Sequence, residues 1–420
     1  MNRIWPRRPS GGTGVDLTGA GAVAVGASVA NVLGYILTVA GARLLGPEEF
    51  GALGALLALV IVGNVAAMAA QATSARATAR SRAVTSAVQS GLGLSVVVTL
   101  GLCALSPLLA EFLQLGSLIP PVAAAVAIGA LTATAPALGV VQGRERFRVL
   151  GVLIGGQAGL RVAGGLVGMA VRPTAAAALV GMAMGLAIAG IGAWAVARPQ
   201  AHVGRTTEWV RSVRTTMASG GMLLGFVVLS NADVFLARHV LPAQASGLYA
   251  AGSVFTKIAF WLPQFVPLVA FPALTDPRRR RDAMRLGLLA LLGSGGIIVA
   301  GAALLAEPAV AIVLGSGYED LTLWIAGFTA LGALLAIAQL LVYAHLATGD
   351  RLTIAVVWSV LVAFVAVVEF TAQGIGGVLF PALAAAGLVV LWGLAREGAG
   401  TIGPSAPAPA RLTQDGRGRN

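Results

Sequence analysis

Twelve apolar runs divide most of this chain, and each is long enough to cross a lipid bilayer as an α-helix, which takes about 20 residues. They lie at approximately 17–41, 50–72, 84–110, 118–142, 147–170, 174–196, 216–237, 246–274, 286–314, 320–347, 352–371 and 374–395. Only 10% of the residues are charged, whereas a soluble domain has about 25%. The sequence therefore predicts an all-α integral membrane protein with about twelve transmembrane helices.

The basic residues lie almost entirely on one side of these predicted helices. If the N-terminus is in the cytoplasm, 23 of the 28 lysines and arginines fall in cytoplasmic segments. The exceptions are Arg43, Arg172 and Arg238 on the outside, and Arg161 and Lys257 within helices. Cytoplasmic loops of membrane proteins carry such an excess of positive charge. We therefore expect both termini to be cytoplasmic, and the net charge of +12 then reflects membrane topology rather than nucleic-acid binding.

Polar segments separate the predicted helices into two sets of six. We predict a cytoplasmic N-terminal segment, an N-lobe of helices one to six, a cytoplasmic inter-lobe linker, a C-lobe of helices seven to twelve and a disordered cytoplasmic tail. These segments are 1–16, 17–196, 197–215, 216–395 and 396–420, respectively.

A short polar motif occurs at the same place in both sets. "ARLLGPEEFG" at 42–51 follows the first predicted helix, and "ARHVLPAQASG" at 237–247 follows the seventh; we name these two segments the knuckles. A weaker echo, "GRER" at 143–146 and "GDR" at 349–351, follows the fourth helix of each set. Pro and Gly redirect a chain, so each knuckle is predicted to be an outside turn with its charges at the water interface. Because both sets begin inside, the repeat is parallel, with a pseudo-two-fold axis along the membrane normal and a central cavity typical of transporters.

Three segments resemble a known family: "ARLLGPEEFGALGALLAL", "GVVQGRERFRVLG" and "LSNADVFLARHVLPAQASGLYAAGSVF". They are similar to Wzx-like oligosaccharide flippases of the multidrug/oligosaccharidyl-lipid/polysaccharide (MOP) exporter superfamily. The resemblance covers about residues 17–395 and implies a V-shaped pair of six-helix bundles in a bacterial plasma membrane. It also implies a function in polysaccharide biosynthesis: a polyprenyl-pyrophosphate-linked oligosaccharide is moved to the outer leaflet by alternating access, together with glycan-assembly proteins.

Three ionisable residues fall inside predicted helices, where charges are costly and usually face a cavity. Arg161 suits a phosphate, since guanidinium binds phosphate in a fork geometry; the alternative is a charge hydrogen-bonded to carbonyls or to Gln157 one turn away. Asp233 and Lys257 lie on antiparallel neighbouring helices and either form a structural ion pair or contribute to the charge of a cavity. In the second case Asp233 is the acid that could couple transport to protons or sodium.

Amide side chains within the predicted helices could bind sugar hydroxyls or bridge neighbouring helices. They are Asn31, Asn64, Gln157, Asn231, Gln264 and Gln339. The predicted substrate-binding set is Arg161, Lys257, Asn231, Gln157 and Gln264, with Asp233 as the coupling or ion-pair residue. Membrane lipids and the lipid-linked oligosaccharide are the expected partners.

Other functions have less support from the sequence. There is no GxxxxGK[ST] motif for an ATP-driven motor, the three histidines are widely separated, and Cys103 is the only cysteine, so we expect no cofactor and no metal site. A multidrug cation antiporter of the same superfamily, driven by protons or sodium, is the main alternative, but helices one to six contain no buried acid.

A major-facilitator transporter would carry an acidic motif after helix two. A membrane-bound glycan polymerase or ligase would carry a large external loop, so we expect a protein that is not an enzyme.

Overall fold

The computed structural model describes residues 17–81, 84–198, 224–263, 280–315, 317–348 and 350–400. Every regular element within these ranges is helical. The N-lobe consists of α1 Leu17–Leu44, α2 Pro47–Ala79, α3 Val84–Ala104, α4 Ser106–Phe112, α5 Ile119–Gly143, α6 Phe147–Val171 and α7 Ala175–Ala197. The C-lobe consists of α8 at 224–240, α9 Ala243–Trp261, α10 Arg280–Leu304, α11 Ala306–Val313, a 3-10 turn Glu319–Leu321, α12 Ile325–Thr348, α13 Arg351–Thr371 and α14 Gly374–Gly400.

Ten of the described helices are long and apolar enough to cross a membrane: α1, α2, α3, α5, α6, α7, α10, α12, α13 and α14. The two remaining predicted spans correspond to α8 and α9, whose described parts are shorter or less apolar. The predicted eighth span runs to residue 274; the described helix α9 ends at Trp261, and residues 264–274 of that prediction lie outside the described residues.

Large apolar side chains cover the outside of the bundle. Leu304 is 84% exposed, Val152 is 74% exposed and Ile191 is 72% exposed. Soluble monomers rarely expose apolar surface on this scale, whereas lipid tails accept it. The surface therefore agrees with a multi-pass membrane protein.

Glycines let neighbouring helices approach closely. A Cβ atom on Gly151 of α6 would collide with the main chain of α1 at Ala22, and one on Gly164 would collide with the main chain of α7 at Gly181. Small residues at helix crossings are the usual means of close packing in membranes. The Gly-rich stretches of the sequence are therefore packing surfaces of helices.

The same helix pairings occur in both lobes. Helix α5 packs on α2, α3 and α7, and its counterpart α12 packs on α9, α10 and α14. Helix α6 packs on α1 and α7, while α13 packs on α14 and meets α8 where Gly225 faces Trp358. The predicted fold class, two six-helix lobes related by a parallel pseudo-two-fold, is confirmed.

Two short helices add to the repeat. Helix α4 follows α3, and α11 follows α10 at the equivalent place in the C-lobe. Their first turns contain Pro107 and Pro308, respectively. Both were predicted to be the ends of long spans, and the structure shows instead that the chain turns there into separate helices at the end of the bundle that holds the knuckles.

Candidate functional site

A cavity of about 240 Å³ lies inside the bundle, between N-lobe helices and α9 of the C-lobe. Its polar lining consists of Asn31, Tyr35, Thr38, Asn64, Arg161 and Lys257, and apolar side chains with Trp261 complete the wall. The volume is below the ~300–1,000 Å³ of pockets that enclose drug-sized ligands. A ligand larger than this volume therefore needs the lobes to separate.

Helical spacing brings the lining residues to one side of each helix. On α1, Asn31, Tyr35 and Thr38 are four and three residues apart, which is one face of an α-helix. On α9, Lys257 and Trp261 are four residues apart and share a face in the same way. The cavity is therefore built from single faces of long helices, which hold its side chains in register.

Arg161 lies in the middle of α6 and has no partner among the residues that the structure describes. Its side chain makes no hydrogen bond or ion pair with the described residues, and its Nε atom is buried without an acceptor. A buried guanidinium without partners is costly, and such groups in native proteins usually serve a ligand or water. The alternative of a bond to Gln157 is not observed among the described residues, so the charge faces the cavity.

Lys257 contributes the second cation of the cavity and ties the two lobes together through its main chain. The hydroxyl of Tyr35 on α1 donates to the carbonyl oxygen of Lys257 at 2.7 Å. The ammonium itself has no ion pair or hydrogen bond with the described residues, and none of the residues that line the cavity is acidic. The site is therefore positively charged.

Asp233 lies in the interior of the C-lobe and does not itself line the cavity, but it is close enough to Lys257 for electrostatic attraction. It is 5% exposed, and its Oδ2 accepts a hydrogen bond from the hydroxyl of Tyr249 at 3.3 Å. A small void lined by Leu331 and Phe364, among other apolar residues, adjoins it. The Asp233 carboxylate and the Lys257 ammonium form no direct ion pair, but they attract each other electrostatically, so both alternatives that the sequence left for these two residues stay open.

The predicted amides are placed differently. Asn231 is 7% exposed and its Nδ2 donates to the carbonyl of Val227 in its own helix at 2.9 Å. Gln157 is half-buried on α6 but does not line the cavity, and Gln264 lies outside the described residues. The structure thus brings together Arg161 and Lys257 from the predicted set.

Sequence reasoning missed Tyr35 and Trp261 as lining residues. Tyr35 comes four residues after Asn31, and Trp261 comes four residues after Lys257. Spacing by one helical turn from a polar candidate was the signal that could have identified them. In the described ranges, no group of three or more His, Cys, Asp or Glu side chains could hold a metal ion.

The chain matches the family model described as polysaccharide biosynthesis protein over residues 17–276. Comparison with curated protein sequences finds no match. This family match agrees with the resemblance inferred from the knuckles and the following helices.

Solved structures of MOP superfamily transporters have the same fold. The chain is similar to the lipid II flippase MurJ in an inward closed conformation, with a TM-score of 0.74, 12% identity, and coverage of 90% of this chain and 87% of that chain. An inward-facing multidrug resistance MATE family transporter gives a TM-score of 0.70 at 12% identity, covering 90% and 98%. A MOP superfamily transporter from Pyrococcus furiosus, described as having a binding pocket of reverse polarity, gives 0.52 at 12% identity, covering 91% and 96%. At these identities the similarity establishes the fold.

Proposed function

The chain belongs to the polysaccharide biosynthesis protein family, and we propose that it flips a polyprenyl-pyrophosphate-linked oligosaccharide from the cytoplasmic to the outer leaflet. The observation that carries this proposal is the cavity that Arg161 and Lys257 line together, with no acid in the lining and no hydrogen-bond or ion-pair partner for Arg161 among the described residues. A guanidinium at bilayer depth without a partner is stabilised by a bound anion. A pyrophosphate head group supplies that anion.

The two cations suit the two parts of such a head group. The guanidinium of Arg161 offers a planar fork of donors that matches the oxygens of a phosphate, and Lys257 adds a point charge. Charge-assisted hydrogen bonds of this kind are about twice as strong as neutral ones. The sugar would lie against Asn31 and Asn64, whose amides can donate to and accept from hydroxyl groups.

The polyprenyl tail would remain in the lipid while the head group occupies the cavity. Because the cavity is small, the lobes have to separate and rock about the site, with the predicted lobes 17–196 and 216–395 as the moving units. We propose that the protein works in a bacterial plasma membrane with both termini in the cytoplasm, alongside glycan-assembly proteins. Asp233 is the proposed site of proton or sodium coupling, because it is a buried acid next to a small void.

The competing function is a multidrug cation antiporter driven by protons or sodium. A cationic drug needs acidic groups in the cavity, whereas the lining here contains two cations and no acid. Like charges in a low-dielectric site repel strongly, so the charge of the lining argues against this alternative.

Lipid mass spectrometry on cells that lack the gene tests the proposal. We expect a polyprenyl-pyrophosphate oligosaccharide to accumulate and to disappear when the gene is restored, but not when an Arg161→Gln variant is supplied at equal membrane abundance. An Arg172→Gln variant is the matched control, since Arg172 is an exposed arginine in the turn between α6 and α7. No accumulation, together with sensitivity to cationic dyes, would favour the antiporter instead.

A further inference from the structure

The two knuckles contact the opposite lobe in a reciprocal way. Arg43, at the end of α1 in the N-lobe, donates from Nη2 to the carbonyl of Ile312 in the last turn of α11 in the C-lobe. Arg238, at the end of α8 in the C-lobe, donates from Nε to the carbonyl of Leu113 at the end of α4 in the N-lobe, at 2.9 Å. Each repeated arginine therefore binds the carboxyl end of the short helix that belongs to the other lobe.

These contacts have a clear physical basis. The last carbonyls of a helix have no partner within the helix, and they form the negative end of its dipole. A guanidinium satisfies these oxygens and is attracted to that dipole. The repeat in sequence, with Arg43 and Arg238 in equivalent positions, thus becomes a repeat of the same bond across the interface.

The Arg238 half is tight. Besides Leu113, its guanidinium donates to the carbonyl of Gln114 at 3.2 Å and to Oγ of Ser246 at 3.0 Å, and only 3% of the residue is exposed. Gln114 in turn donates to the carbonyl of His239 at 2.6 Å. The sequence predicted a charge at the water interface, and the structure instead shows a buried one with several acceptors.

The Arg43 half is looser. Arg43 is exposed, and it faces a crevice of about 450 Å³ between the first knuckle and α11. The main chain next to Arg43 is held by Tyr318, whose hydroxyl donates to the carbonyl of Ala42 at 3.0 Å. The two halves thus share a geometry but differ in burial.

The knuckle glycines allow the main chains of the two lobes to touch. Helices α2 and α9 cross at Gly51 and Gly247, and a Cβ on Gly51 would lie 2.9 Å from the main-chain nitrogen of Gly247. A Cβ on Gly247 would collide with the main chain of Pro47. Side chains at these two positions would therefore hold the lobes apart.

The knuckle contacts and the cavity lie at different heights along the helices that contribute to both. Along α2, Gly51 and Gly54 meet the C-lobe, and cavity residues begin at Leu57, about 4.5 Å further along the helix. Along α9, Gly247 precedes Lys257 by ten residues, or about 15 Å. The knuckle contacts therefore close the cavity at the predicted outer end.

We propose that the two knuckles form a pseudo-symmetric latch, in which Arg43 and Arg238 cap α11 and α4 of the opposite lobe and seal the cavity from the outside. The latch has to break for the cavity to face outward. Because Arg238 is the buried half, its loss opens the latch more than the loss of Arg43. The proposal rests on the alternating access proposed above but not on the identity of the substrate.

Cysteine accessibility tests the latch in the full-length protein. In a Cys103→Ser background, Thr38→Cys places a reporter in the cavity, and Glu111→Cys on the exposed surface of α4 reports which face of the membrane holds the knuckles. A membrane-impermeant methanethiosulfonate is added to intact cells and, separately, to inside-out vesicles. Labelling of the Thr38→Cys reporter is then measured from the side of the membrane on which the Glu111→Cys protein reacts. The test therefore works for either orientation of the protein in the membrane.

We expect Arg238→Gln to raise the labelling rate of the Thr38→Cys reporter by about tenfold, the effect of losing roughly one charge-assisted hydrogen bond. Arg43→Gln should raise it by a smaller factor, and Arg172→Gln, which removes the same charge from the same face, should leave it unchanged. Arg43 is exposed, so its variant tests the latch even if Arg238→Gln does not fold.

Equal rates in the two latch variants and the control would overturn the proposal. This readout needs no substrate. If the latch variants are labelled faster but cells without the gene accumulate no lipid-linked oligosaccharide, only the proposed substrate is rejected.

Discussion

Replacement of Arg161 by glutamine should change stability and ligand binding in opposite directions. In the unliganded protein Arg161 has no hydrogen-bond partner among the described residues, so its removal breaks no contact within the bundle. A charged side chain at the centre of a membrane helix costs about 2.5–3.5 kcal/mol, and contact with a cavity lowers this figure. We expect Arg161→Gln to raise the free energy of unfolding by about 1 kcal/mol, within that bound.

Binding should respond in the other sense. Each charge-assisted hydrogen bond contributes about 1.5–3 kcal/mol, so losing one lowers the affinity for a pyrophosphate by roughly tenfold to a hundredfold. The probe is farnesyl pyrophosphate in detergent, with farnesol as the uncharged control. Arg161→Lys keeps the charge without the fork and should fall between the wild type and Arg161→Gln.

The assay is thermal unfolding with and without the probe. The wild-type protein should gain stability from farnesyl pyrophosphate but not from farnesol, and Arg161→Gln should start higher and gain less. Arg238→Gln is the contrasting variant, since Arg238 is equally basic but donates to several acceptors, and its loss should lower stability by about 3 kcal/mol. If Arg161→Gln were less stable than the wild type and retained the response to farnesyl pyrophosphate, Arg161 would be a structural residue and the reasoning would be wrong.

Three further predictions concern other parts of the molecule. Gly247→Ala should weaken the closed state by about 1–3 kcal/mol, because the added methyl group meets the main chain of Pro47. Faster labelling of the Thr38→Cys reporter measures this effect, and an unchanged labelling rate would argue against the close crossing of α2 and α9. Asp233→Asn should abolish stimulation of flipping by a proton or sodium gradient in proteoliposomes while farnesyl pyrophosphate still binds, and stimulation that persists would place coupling elsewhere. Asp350→Ala should cost about 1 kcal/mol at pH 7, since the Asp350 carboxylate caps α13 through the N–H of Leu352 at 3.0 Å. Partial burial opposes ionisation of the Asp350 carboxyl, but hydrogen bonds hold its pKa below its ordinary value. The contribution of this carboxylate to stability therefore persists above about pH 4 and is lost as the pH falls through the lowered pKa. A stability difference from the wild type that stays constant down to about pH 3 would contradict the capping role.

The fold could be predicted from the sequence because a membrane limits what each run of residues can do. Long apolar runs have to be helices, and the alternation of arginines predicts their orientation across the bilayer, which stays a prediction. The knuckles then identified the repeat. The short helices α4 and α11 were not predicted, because seven or eight residues at the end of an apolar run have the same composition whether the helix continues or turns.

The site was only partly predictable, since the rotation of each helix is a tertiary property. Asp233 and Lys257 were placed on neighbouring helices, which is correct, but their side chains face different surroundings. On α9, Tyr249 bonds Asp233, and Lys257 comes eight residues later, a rotation of about 80° around the helix. That angle turns Lys257 into the N-lobe cavity, and no pattern in the sequence specifies it.

The partners of the knuckle arginines were equally hidden. A main-chain carbonyl at the end of a helix leaves no signature in the sequence, so Arg43 and Arg238 looked like exposed turn residues. Arg161 was predictable because the signal lies in its own neighbourhood of the sequence: a charged residue within a long apolar run usually faces a cavity.

If the proposed function is correct, the cations of the cavity would also make transport sensitive to voltage. If the empty cavity carries the charges of Arg161 and Lys257 as it changes the side it faces, a membrane that is negative inside holds the empty protein toward the cytoplasm, by about 2.3 kcal/mol per charge that crosses 100 mV. A bound pyrophosphate neutralises this charge and removes the restraint. The membrane potential would therefore favour outward movement of loaded protein over empty protein, and transport would produce a measurable electric current.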